Sequence, residues 1–159
     1  ITIVSSIIGT ILAGSAVDYL RNKNYSDAPV RAAMIAVMFA LPPIVMLSFV
    51  NSEIGAWICI ALYLLFISSF APLGLLAISG VSTGSVKGQA AAIHAFLMMA
   101  FGLSLGPQLT AFFTDFIFAD PNLLINSISL SGLIVLPISA LLFKISLRRY
   151  RESSQKILA

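Results

Sequence analysis

The sequence predicts an all-α protein, a polytopic transmembrane helical bundle of about five spans. Of its 159 residues, 59% are hydrophobic and only 9% are charged, and the mean hydropathy is +1.03. A soluble chain of this size has too much surface to cover with so few charges. A bilayer accepts apolar surface but requires every backbone polar group to be paired within the protein, which favours helices.

Five apolar runs meet or approach the roughly 20 residues that a helix needs to cross the hydrocarbon core. They are residues 1–17, 30–50, 54–79, 89–117 and 123–147. Each is longer than the roughly 10-residue alternating strands of a membrane barrel. We predict a transmembrane unit over 1–147 and a basic tail over 148–159. The first run is short and already apolar at Ile1, so we expect a fragment that enters in the middle of a longer protein.

The basic residues indicate the orientation, because Lys and Arg are retained on the cytoplasmic side of a membrane. All nine fall at the first connection, the third connection or the tail, and none at the second or fourth connection. They are Arg21, Lys23, Arg31, Lys87, Lys144, Arg148, Arg149, Arg151 and Lys156. This alternation predicts an integral membrane protein, in the cell (inner) membrane, with a cytoplasmic C-terminus.

Composition also argues against several partners and cofactors. The cations do not form a patch interleaved with aromatic residues, so no nucleic-acid partner is expected. Cys59 is the sole cysteine, and it offers neither an internal disulfide nor a cysteine metal cluster. We therefore predict no metal and no cofactor.

The first connection carries a small motif that begins at Gly14. Asp18 ends the first span with a carboxylate, and Arg21 and Lys23 follow it. A carboxylate at a membrane face needs a cationic partner, which either of these side chains or the amino end of a neighbouring helix would supply. Alternatively, Asp18 only caps the helix and the cations only set the orientation.

The fourth span shows two faces on a helical projection. Small residues that allow close helix approach share one arc; they are Gly88, Ala92, Ala95, Gly102 and Gly106. A second stripe, about a third of a turn away, is predicted to face a cavity; it consists of His94, Met98, Phe101, Leu105 and Gln108.

His94 is the titratable residue that sits well within a span, which makes it a functional candidate. It would bind a substrate anion or carry a proton, or it would instead be a neutral histidine paired with a neighbouring helix. Other candidate cavity donors, which would otherwise serve as packing groups, are Tyr63, Ser68, Ser69 and Gln108.

Two motifs resemble the spinster-like branch of the major facilitator superfamily. In its helix 11, a basic residue and small residues lead into Gly-x-x-x-Gly-Pro-x-x-x-Gly-x-x-Ser/Thr-Asp. This chain has Lys87 at the usual Arg, then Gly102, Gly106 and Pro107, with Ala111 at the last Gly. The first connection is similar to the family's loop motif between helices 8 and 9, although Tyr19 occupies the usual first Arg and Arg21 the usual Gly.

The resemblance implies a partial major facilitator fold, from about helix 8 to helix 12. It implies a secondary active transporter that moves a small or amphipathic organic solute by alternating access, with the bilayer, the amino-terminal half of the same chain and a small-molecule substrate as partners. Because helices 10 and 11 line the family's cavity, Pro72 and Pro107 are the candidate gating bends.

Other functions remain open at this stage. One alternative is a sugar, carboxylate or drug-efflux permease of another major facilitator branch, and another is a non-transporting membrane scaffold. An enzyme is not expected, because the chain has no His-Glu-x-x-His zinc pair and no paired intramembrane carboxylates.

Overall fold

Helices account for almost all of the chain in the computed structural model, which describes residues 2–50, 52–82, 84 and 86–158, and the side chains of all of these except 103 and 154–158. Seven α-helices follow one another. They are α1 Thr2–Asn22, α2 Ala28–Leu47, α3 Glu53–Ile67, α4 Phe70–Val81, α5 Val86–Leu97, α6 Ser104–Phe112 and α7 Leu124–Leu158. π-helical turns flank α6, at Met98–Leu103 and Phe113–Phe118, and a 3-10 turn at Pro121–Leu123 precedes α7. No strand occurs in the described residues, which confirms the all-α fold class.

These helices form five segments that are long and apolar enough to cross a membrane, as predicted. They are Thr2–Asn22, Ala28–Leu47, Glu53–Val81, Val86–Phe118 and Pro121–Ser153. The predicted spans differ from them mainly at their ends. The first helix runs five residues past the predicted end at 17, so Asp18 and Arg21 lie on α1 rather than in a connection. The basic residues of 148–158 continue α7 as helix.

Prolines explain two of the irregularities within these spans. Because proline has no backbone N–H, it cannot donate to the carbonyl four residues earlier. Pro107 stands four residues after Leu103, where the first π turn ends. Pro72 stands four residues after Ser68, and α3 and α4 are separated at Ser68 and Ser69.

The second span forms the centre of the bundle. Half of the residues in its most hydrophobic stretch of 18 residues are buried. Helix α2 packs against α7, α3, α4 and α1. One core cluster joins α2, α3 and α7 through Val37, Ala40, Ile44, Leu47, Cys59 and Leu136. A second joins α1, α2 and α4 through Ala13, Val17, Ala28, Ala32, Ala33 and Leu73. The fourth span is the opposite case, because no described residue in its most hydrophobic window is buried.

Helices of the first and third spans approach each other closely at Gly9. A Cβ built at Gly9 would overlap the backbone carbonyl oxygen of Leu65, and it would lie 2.5 Å from Ser68 Oγ. Beside this contact, Ser68 Oγ donates a hydrogen bond to the carbonyl oxygen of Ser6 at 3.2 Å. Only a glycine on α1 permits the two backbones to come this close.

Candidate functional site

Asp27 is the one buried charged residue in the part of the chain that the structure describes. It precedes α2 as the N-cap residue, and its side chain is only 2% exposed. Arg31 Nε donates to both carboxylate oxygens at 2.9 Å. Arg151 Nε, from α7, donates to Oδ2 at 2.7 Å. The carboxylate therefore ties the amino end of α2 to the far end of the last helix.

The environment of Asp27 favours its charged form. Burial raises the pKa of the carboxyl group, but the hydrogen bonds from Arg151 and Arg31, with the positive charge of both guanidinium groups, outweigh burial. The net result is a pKa below the ordinary value of 3.8. Each arginine retains access to water, because Arg31 is 30% and Arg151 47% exposed.

This lowered pKa predicts a loss of stability in acid. Because the folded pKa lies below the unfolded one, the stabilisation is fully present above the unfolded value of 3.8 and is lost as the pH falls through the folded value. We expect the melting temperature of the native chain in detergent to fall more steeply than that of Asp27→Asn between about pH 5 and pH 2. If the melting temperatures of the two proteins fall by the same amount over that pH range, this account is wrong.

The predicted motif of the first connection is arranged differently from expectation. Asp18 is exposed on α1, and it forms no ion pair with Arg21 or Lys23 among the described side chains. Lys23 Nζ lies 4.5 Å from the centroid of the Tyr19 ring, and the interaction with Tyr19 raises the pKa of Lys23. Gly14 has open space where a Cβ would stand.

In the structure, the carboxylate that has cationic partners is therefore that of Asp27, and not that of Asp18. The sequence carries a signal for Asp27, because an Asp followed within two residues by Pro29 is typical of a helix amino terminus. From the sequence alone, residues 22–29 are predicted only as a turn between two spans.

His94 lies on α5 beside a cavity of about 250 Å³, which we call the histidine cavity. Its ring contacts α4 at Gly74, where a Cβ would lie 2.6 Å from the His94 Cε1 atom. The Nε2 atom is buried and has no hydrogen-bond partner among the described residues. Residues from α2, α4, the π turn and α7 form the remaining walls, among them Val30, Phe70, Leu73, Met98, Ser139 and Phe143.

A larger cavity of about 690 Å³ lies further along the same span, and we call it the outer cavity. Its lining is almost entirely apolar, and Gln108 is its amide side chain. The residues that line it are Phe101, Gly102, Leu105, Gly106, Gln108, Leu109, Phe112 and Val135. At Gly102 and Gly106, no atom of the described residues outside the local helical turn lies within 4 Å of the position of a Cβ, so no other described helix packs closely there.

The predicted stripe of the fourth span is therefore divided between two cavities. His94 and Met98 face the histidine cavity, whereas Phe101, Leu105 and Gln108 face the outer cavity. Two glycines from the predicted packing arc, about a third of a turn away, line the outer cavity with them. The π turn at Met98–Leu103 is the physical reason. A π turn inserts one extra residue, which rotates the residues that follow by about 100° relative to a regular α-helix.

The candidates on the third span line neither of these cavities. Ser68 donates hydrogen bonds to the carbonyl oxygens of Ser6 and Leu65, and Ser69 donates to that of Phe66. Tyr63 is half-buried and packs against the core cluster around α2. Ser68 and Tyr63 thus contact neighbouring helices, and Ser69 lines a small cavity of about 100 Å³ together with residues of α1, α2 and α3.

The protein is an all-α helical bundle. Its five long apolar helices are compatible with an integral membrane protein. Comparison of the chain with family models, with curated proteins and with solved structures gives no match.

Proposed function

We propose that the chain is the carboxy-terminal half of a secondary active transporter of the major facilitator type, which moves a small or amphipathic organic solute by alternating access. The observation that carries the proposal is the outer cavity. It is an apolar concavity on the fourth span, the span whose most hydrophobic window has no buried residue in the described part of the chain. Such transporters place the substrate between two helical halves. The exposed cavity face is where we propose that the amino-terminal half of the same chain packs.

The irregular backbone of the third and fourth spans supports this function. The fourth span has π turns on both sides of α6 and Pro107 within it, and the third span is broken four residues before Pro72. Alternating access combines rocking of one helical bundle against the other with gating, and helices that bend at hinges can provide the gating. We propose that Pro72 and Pro107 serve as those hinges, as the resemblance to the spinster-like branch implies.

The lining of the outer cavity favours an amphipathic substrate. Its walls are aromatic and aliphatic, with Gln108 as an amide that can fix the orientation of a polar group. Binding pockets commonly combine apolar walls with a few polar groups in this way. A sugar, which has a hydroxyl group on most carbons, would leave many of them without partners there. The distribution of Lys and Arg supports a cytoplasmic C-terminus, and we propose the cell (inner) membrane as the location.

A substitution in the outer cavity tests the transport function. In the full reading frame, Gly106→Leu is expected to lower uptake of a fluorescent lysophospholipid into proteoliposomes by about tenfold or more, equivalent to about 1.4 kcal/mol. The leucine side chain enters the cavity, and no atom of the described residues outside the local helical turn lies within 4 Å of the added Cβ. The melting temperature of the variant, measured beside its uptake, separates a blocked cavity from a misfolded protein.

Gly88→Leu is the matched control, because Gly88 also has open space around a Cβ and lies on the same span outside both cavities. Its uptake rate should stay within about twofold of the native rate. Equal uptake by the two variants would remove the outer cavity from the transport path. Uptake of labelled glucose without uptake of lysophospholipid would favour a sugar permease, and uptake of neither would favour a scaffold.

A further inference from the structure

We propose that the histidine cavity is a binding site for a short-chain monocarboxylic acid. The carboxyl group would share a proton with His94 Nε2, and the hydrocarbon chain would lie against the apolar walls. This site is distinct from the outer cavity, and the proposal holds whether or not the chain transports a solute.

The first argument is the unpaired nitrogen. His94 Nε2 is buried and makes no hydrogen bond within the described residues. Leaving a buried polar atom in this state costs free energy, because the atom has lost its hydrogen bonds to water. Ser139 is the polar residue among the walls, and its hydroxyl group already donates to the carbonyl oxygen of Val135 at 2.8 Å. A bound group that hydrogen-bonds to the imidazole would remove this cost.

The size of the cavity sets the length of the ligand. A water-sized group occupies about 30 Å³, so the 250 Å³ of this cavity holds about eight such groups. An acid such as hexanoic acid has that many non-hydrogen atoms. The rings of Phe70 and Phe143 are stacked with their centroids 5.9 Å apart, and they provide a flat apolar wall for the chain.

The charges around the cavity select the head group. His94 is the titratable side chain among its lining residues, and none of them is Lys, Arg, Asp or Glu. An imidazole and a monocarboxylic acid share one proton, so their pair has no net charge wherever that proton lies. A phosphate group would bring additional negative charge, and an amine would find no anion; burying either is costly. An alcohol would form only the weaker hydrogen bond between neutral groups.

Nuclear magnetic resonance of the imidazole nitrogens provides the test, because His94 is the one histidine in this sequence. The full chain, labelled with ¹⁵N-histidine in lipid nanodiscs at a fixed pH near neutrality, is titrated with hexanoic acid. Hexanol and hexylphosphonic acid serve as probes of equal chain length. The His94→Phe variant, which keeps an aromatic ring but no nitrogen, assigns the resonance by its loss.

We expect hexanoic acid to shift the Nε2 resonance to saturation, with hexanol at least about tenfold weaker and hexylphosphonic acid without a saturable effect. Gly74→Ala should abolish the response, because its Cβ would stand 2.7 Å from Nε2. Gly88→Ala, with open space, should leave it unchanged. A response to hexanoic acid that does not saturate, or an equal response to either other probe, would overturn the proposal. Because the readout is binding, failure of lysophospholipid uptake would leave this site intact.

Discussion

Asp27→Ala is expected to reduce the free energy of unfolding by about 2–4 kcal/mol, because it leaves two arginines close together without their shared anion. Removing one partner of a fully buried ion pair costs about 3–5 kcal/mol. The expected loss here is smaller, since Arg31 and Arg151 are 30% and 47% exposed and water will partly solvate them. Thermal unfolding in detergent, followed by circular dichroism, measures the change.

Two of the three arginines of α7 provide a matched pair of substitutions that tests the ion cluster at Asp27. Arg151→Ala is expected to lower the melting temperature, because it removes the hydrogen bond that holds α7 to the amino end of α2. Arg148→Ala is the control, since that side chain is 90% exposed and its contact with Glu152 is long, at 3.5 Å. Exposed ion pairs of this kind contribute little. Equal melting temperatures for the two variants would show that Asp27 does not anchor α7.

The number and approximate limits of the spans could be predicted because they depend on local composition. A helix needs a minimum length to cross a bilayer, and the bilayer excludes charge from that length. Most ends of the five predicted runs accordingly lie within a few residues of the ends of the five long helices. Their ends were less predictable, because α1 continues through Asp18 and Arg21.

The candidate site was predictable only in part, since it depends on contacts between distant residues. Asp27 and Arg151 are separated by 124 residues, and no local pattern pairs them. The projection of the fourth span assumed a regular helix, and the π turn at Met98–Leu103 altered the angle of every residue beyond it. The selection of His94 needed only its position within a span, and the structure places His94 beside the histidine cavity.

Gly9→Leu is expected to separate the first span from the third and to cost about 3 kcal/mol or more. Overpacking usually costs less, because a neighbouring side chain can change its rotamer. At Gly9 the obstructing atom is the carbonyl oxygen of Leu65, which belongs to the backbone of α3 and cannot rotate away. One helix must therefore shift as a whole. The shift would also break the hydrogen bond from Ser68 to Ser6.

Gly14→Leu isolates this effect, because Gly14 lies on the same helix with nothing within 4 Å of a Cβ. Both substitutions add the same side chain to α1, so any difference between them comes from the contact with α3. Cysteines at Ser6 and Ser68, in a Cys59→Ser background, should be joined by a short bifunctional thiol reagent in the Gly14→Leu chain but not in the Gly9→Leu chain. If both variants cross-link and melt alike, α1 and α3 do not meet at Gly9. In that case the face of the first span that carries its small residues would not pack against α3.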